Sequence, residues 1–236
     1  SIVIKQGSRD IINEAFRVLR TNLEFMLDAK IENKASVTLF TSFNPGSGKS
    51  FLTMNTAATF AMKGKRILVI DGDLRRGSAS AYLGSQHKGL SDYLGKRESC
   101  LDALVQENPD IPGFFLLPAG TIPPNPTELL AEPLFKETIE QLRGHYDYIL
   151  IDCPPIDIVA DTQIIEKLAD RTVFVVRAGL LERDMLSELQ RMYDEKRFKN
   201  MALLLNGTEG GGNRYGYRYG YKYGYKYGYG SKNYYK

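Results

Sequence analysis

The segment Phe43-Asn-Pro-Gly46-Ser47-Gly48-Lys49-Ser50 lies between an apolar run of strand length, Val37 to Thr41, and a stretch of helical periodicity from Ser50 to Lys63 that Gly64 closes. Strand, glycine-rich turn and helix in that order restrict what can be built. The glycines let the backbone close around phosphate oxygens, and the helix N-terminus adds partial positive charge at the same place. The loop therefore predicts a phosphate site formed by Gly46, Ser47, Gly48, Lys49, Ser50 and Phe51, with Lys49 reaching terminal phosphates and Ser50 ligating Mg²⁺. The common form of this motif has glycine where Phe43 stands, so the first turn is expected to differ.

Further strand-length apolar runs follow at Arg66–Ile70, Phe114–Leu117, Tyr148–Ile151, Thr172–Val176 and Met201–Leu205. Helical periodicity fills Asp10–Leu27, Thr127–Leu142, Asp161–Leu168 and Glu182–Lys196. Buried strands alternating with helices predict an α/β fold, a doubly wound, mostly parallel sheet of the P-loop NTPase kind. The proline-rich stretch Pro118–Pro126 reads as a loop before a helix capped near Thr127, and Leu74–Asn108 as short helices and loops.

Two of these strands deliver carboxylates. Ile67–Ile70 runs into Asp71-Gly72-Asp73-Leu74-Arg75, and Tyr148–Ile151 into Asp152-Cys153-Pro154-Pro155. In an open parallel sheet the carboxyl ends of the strands form the ligand-binding edge. A lone aspartate ending a strand is commonly a turn or cap residue. Three beside a phosphate loop point instead to one Mg·ATP site, where the Asp152 carboxylate can hold a metal-bound water.

The C-terminus is of another kind. From Arg214 the chain repeats tyrosine, glycine and basic residues with period four, and ten of its fifteen tyrosines lie here: Tyr215, Tyr217, Tyr219, Tyr221, Tyr223, Tyr225, Tyr227, Tyr229, Tyr234 and Tyr235. Without aliphatic residues and with frequent glycine, this segment has no core to offset its chain entropy and is expected to stay flexible. The organisation expected is one domain over residues 1–209 and a glycine hinge with tyrosine tail over 210–236. Six of the thirty-one lysines and arginines follow Glu209 and no acid does, so a tail of +6 is joined to a body of −3, a pairing that favours docking on its own or a neighbouring body. Cys100 and Cys153 make no disulfide framework, which suits a reducing compartment. No apolar run reaches spanning length, and a start at Ser1 suggests excision from a longer polypeptide.

Together these residues resemble the bacterial tyrosine kinases (BY-kinases). Their Walker A motif is matched by Gly46–Ser50, their A′ motif by Asp71, Asp73 and Arg75, their Walker B by Asp152, Pro154 and Pro155, and their tyrosine cluster by the tail. Glu14, Arg17 and Arg20 match the family's Glu-x-x-Arg-x-x-Arg oligomerisation signature, and Gly120 through Pro124-Asn125-Pro126 to Glu128-Leu129-Leu130 its loop before the next helix. The resemblance implies an ATP- and Mg²⁺-dependent autokinase acting on its own tail within a ring of copies, with Lys49, Asp71, Asp73 and Arg75 as catalytic residues, Asp71 as the base, and Asp73 and Asp152 holding Mg²⁺ directly or through water beside Ser50. It implies a role in capsular or extracellular polysaccharide export at the cytoplasmic face of the membrane. A transmembrane activator, fused or separate, and a phosphotyrosine phosphatase would be its partners, with no nucleic acid. Arg75 has two open roles, contacting phosphate or tethering an acid.

A partitioning-type ATPase switch is the competing expectation. Such proteins carry a second lysine early in the loop, where Asn44, Pro45 and Gly46 stand here, and they give the tail no task. A tail binding single-stranded nucleic acid through stacking and charge is another reading.

Overall fold

A computed structural model describes residues 1–26, 34–83, 88–156 and 160–208. Ser1–Asn206 form one compact unit. In chain order its elements are α1 (Ile11–Met26), β1 (Ser36–Thr41), α2 (Lys49–Ala61), β2 (Ile67–Asp71), α3 (Leu90–Leu94), β3 (Gln106–Glu107), β4 (Phe114–Leu117), α4 (Pro126–Ala131), α5 (Pro133–Arg143), β5 (Tyr148–Asp152), α6 (Asp161–Glu166), β6 (Arg171–Arg177), α7 (Met185–Asp194) and β7 (Met201–Asn206).

The seven strands lie in the order β3-β4-β2-β5-β1-β6-β7. All neighbours pair parallel except β3 with β4. The inner strands read as continuous apolar runs because both faces are covered. Successive residues alternate between two cores: Phe40, Ile67, Val69 and Leu150 pack with Phe16, Leu52 and Phe60 from α1 and α2, whereas Leu39, Leu68, Ile70 and Ile151 pack with Leu90, Leu130, Phe135, Ile139 and Ile165 from α3 to α6. Phe174, on the second face, anchors a smaller cluster with Phe43, Leu189, Met192 and Phe198. Each of these side chains stabilises the fold by about 1.5–3 kcal/mol through burial.

The doubly wound, mostly parallel sheet is as the pattern predicts, with three departures. The helix expected over Thr127–Leu142 is two, α4 and α5, because Pro133 has no N–H to donate and holds Glu132 extended at φ −65°, ψ 145°. Its start is capped at Asn125 with Pro126 in the first turn, not at Thr127, whose hydroxyl is engaged elsewhere. Within the stretch read as loops, Gln106–Glu107 add an antiparallel edge strand too short to leave a period. The tail tyrosines, Tyr215 to Tyr235, lie outside the described residues.

Candidate active site

β1 is flanked by β5 and β6, and its C-terminal end feeds the glycine-rich loop into α2. Gly46 at φ 74° and Gly48 at φ 93° turn the chain through the left-handed region, where a side chain is strained. At Gly48 a Cβ would also stand 2.3 Å from Asn206 Nδ2. Phe43 explains the unusual first turn: it is buried, its ring edge-on to Phe174 with centroids 5.0 Å apart, so it ties the loop's entry to the α7 cluster. Inside the loop the Ser42 and Ser47 hydroxyls both donate to the Asn44 carbonyl, at 2.8 and 2.7 Å.

A cleft of about 220 Å³ opens at this edge. Of the residues expected from sequence, Gly46, Gly48, Lys49, Ser50, Phe51, Asp73 and Asp152 line it, and Arg76, Ser78 and Cys153 join them. Ser47 is buried beside it. The Lys49 ammonium donates to Ser42 Oγ at 3.1 Å. Burial lowers its pKa, opposed by Asp152 and Asp73. Ser50 Oγ donates to Asp152 Oδ2 at 2.5 Å, while Asp152 Oδ1 is buried with no hydrogen-bond partner among the described residues. Burial, with the Asp71 charge beside it, pushes the Asp152 carboxyl up to about 8.

Asp71 and Asp73, two residues apart, have different surroundings. Asp73 lines the cleft and accepts the Arg75 and Arg76 amides at 3.3 and 3.1 Å. Asp71 lies beneath it, fully buried: one oxygen accepts the Ser80 amide and hydroxyl at 2.7 and 2.6 Å, the other the Asp73 amide at 3.2 Å. Burial raises it to about 6 against the pull of the Ser80 donors.

Arg75 does not line the cleft. Its guanidinium donates to Asp161 Oδ2 at 3.2 Å and Thr127 Oγ1 at 2.9 Å, and Thr127 donates to Asp161 Oδ1 at 2.5 Å. Sequence reading missed Ser42, Thr127 and Asp161, which meet the site only through the fold. Asn206, at the end of β7, donates from Nδ2 to the Ser47 carbonyl at 2.9 Å.

A buried carboxylate oxygen lacking a donor, beside a serine hydroxyl and a second carboxylate, is a hard oxygen set of the kind magnesium takes. Among the described residues no three His, Cys, Asp or Glu side chains form a closed metal cage. Magnesium does not need one, since it usually binds through one or two carboxylates plus phosphates and waters.

Glu14, Arg17 and Arg20 fall on α1 and do not line this cleft. Arg17 pairs with Glu14 and donates to the Ser8 carbonyl. Arg20 turns inward, donating to the Thr59 carbonyl on α2 at 3.3 Å.

A parallel sheet with a glycine-rich phosphate loop after an inner strand and carboxylates on neighbouring strand ends defines the P-loop NTPase class. The profile of the AAA domain family AAA_31 matches residues 36–196. Tyrosine-protein kinase YwqD of Bacillus subtilis (strain 168) is 33% identical over 210 residues, covering 89% of this chain and 86% of that one. Putative tyrosine-protein kinase AmsA of Erwinia amylovora is 40% identical over 191 residues, covering 80% of this chain but 25% of that much longer one. The solved kinase domain of Escherichia coli tyrosine kinase ETK superposes with a TM-score of 0.75 at 33% identity, over 87% of this chain and 80% of the domain. The chain belongs to the bacterial tyrosine-protein kinases.

Proposed function

We propose that this chain is an ATP-dependent autokinase that transfers the γ-phosphoryl group of ATP to tyrosines of its own C-terminal cluster, in trans between copies in a ring. The observation that carries this reading is the convergence of Lys49, Ser50, Asp73 and Asp152, whose Oδ1 has no hydrogen-bond partner among the described residues, on one cleft at the carboxyl edge of the sheet. Gly46 to Phe51 cradle the phosphates, and Lys49 neutralises charge growing on the transferred group. Ser50, Asp73 and Asp152 hold Mg²⁺, which when bound neutralises the β- and γ-phosphates. Asp71 takes the phenol proton as the new O–P bond forms and ADP leaves; a carboxyl near 6 is a base of suitable strength at neutral pH. To meet a phenol, Asp71 must part from Ser80. Arg75 holds the A′ turn against α4 and α6 through Thr127 and Asp161.

Twenty-four residues follow Gly212, a reach of roughly 80 Å when extended, which serves transfer between neighbours. The Glu14, Arg17 and Arg20 face of α1 forms the ring contact. By family resemblance the activity governs polysaccharide export at the cytoplasmic membrane face, with a transmembrane activator, a phosphatase and no nucleic-acid ligand. Among the described residues no helix is long and apolar enough to cross a membrane. On this reading the activator is either a separate chain or a fused segment. Coverage of nearly all of one relative and a quarter of another supports both arrangements.

Incubation with Mg·ATP and blotting for phosphotyrosine tests the reading. The chain should label itself, and Lys49→Met or truncation after Gly212 should remove the signal. A Lys49→Met chain that keeps its tail, mixed with a wild-type body lacking one, should become labelled; a bare mutant eliminates transfer in trans. Asp71→Asn should abolish turnover while sparing MgADP affinity, and Asp73→Asn should weaken that affinity. Full turnover in Asp71→Asn removes it as the base.

A further inference from the structure

At the last rung of the β6–β7 ladder, Arg177 and Asn206 stand opposite each other, and the Ala178 amide donates to the Asn206 carbonyl at 2.9 Å to fix the strand ends. Both side chains reach the phosphate loop. Arg177 Nη1 donates to the Gly46 carbonyl at 2.6 Å, and Asn206 Nδ2 to the Ser47 carbonyl at 2.9 Å. Two successive carbonyls, from peptide units flanked by left-handed Gly46 and Gly48, are thus held by one pair of facing strand residues.

We infer that Arg177 and Asn206 are positioning residues that hold the phosphate loop in its binding shape before ligand arrives. In a trans peptide the C=O and the following N–H point opposite ways. Pinning the Gly46 and Ser47 carbonyls to the strand ends therefore turns the Ser47 and Gly48 amides away from the strands, as donors for an anion. A loop already set spends less conformational freedom on binding, so the clamp acts on affinity. Arg177 is exposed and fills no core, which separates this role from support of the fold. Packing against Asn206 also explains why position 48 has no room for a side chain.

The inference rests on the nucleotide-binding reading above, and two measurements on the full chain keep them apart. In nucleotide-free protein, Arg177→Ala and Asn206→Asp should speed amide hydrogen exchange over residues 46–50 and leave the other strands unchanged; the second variant keeps the shape but replaces the donor with an acceptor. In titrations with MgADP, each should weaken binding about 3- to 10-fold with a melting temperature near wild type, and Arg177→Lys, which keeps a donor, should recover part of the loss. Wild-type exchange and affinity in both variants overturn the clamp. A wild-type chain that binds no MgADP overturns the nucleotide reading instead, while the exchange data still decide whether the clamp exists.

Discussion

At position 152 a carboxyl exposed by 1% combines one serine hydrogen bond with one oxygen that has no donor among the described residues, an arrangement costly to ionise without a cation. Its pKa is raised to about 8, so the folded protein keeps a proton that the unfolded chain releases above about pH 4. Stability from that proton is complete below the unfolded pKa and is lost as pH climbs through 8. Asp152→Asn, neutral at every pH, is therefore expected to melt at least about 3 °C above wild type at pH 8.5 without nucleotide, with the gap closing by pH 5. Thermal melts across that range check it; an equal gap at both ends would mean that ionisation is not the cause. Asp152 was legible in the sequence because a carboxylate ending a buried strand beside a phosphate loop has few other uses. Asp161 was not, since its partner Arg75 is 86 positions away and no local pattern joins them.

Among elements, strands were read more accurately than helices, because apolar runs buried on both faces are continuous and end where the sheet ends. α4 and α5 were fused in the reading because their apolar spacing runs on across Pro133. The glycine loop is the element least tolerant of change. Gly48→Ala, strained at φ 93° and set against Asn206, should lose MgADP affinity more than tenfold while the sheet stays folded by circular dichroism; near wild-type affinity would show that the loop can reshape. In α1 the signature residues divide. Arg20→Ala should cost about 1 kcal/mol of stability through its lost bond to Thr59, whereas Glu14→Ala should not. Ile11, Val18 and Phe25, seven apart, are exposed by 87, 53 and 72%, an apolar stripe along the same helix. If rings form through α1, Phe25→Asp should lower the sedimenting mass without lowering the melting temperature; an unchanged mass removes α1 from the contact.

For the whole molecule the governing quantity is the charge division, +6 on the last residues and −3 on the rest. Each phosphotyrosine adds about −1.5 to −2, so three or four cancel the tail and further ones reverse it. Phosphorylated chains are therefore expected to sediment as smaller species than phosphatase-treated ones, and equal masses would count against charge-driven release. Composition alone gave this balance, whereas the tether of Arg75 and the grip on the loop needed the folded chain. That grip has a practical result for anyone trimming the protein. Asn206 is the final residue of β7, so a stop codon set a few positions too early, meant only to discard phenols, would also unhook the nucleotide loop and be misread as proof that the tail is needed for ATP binding.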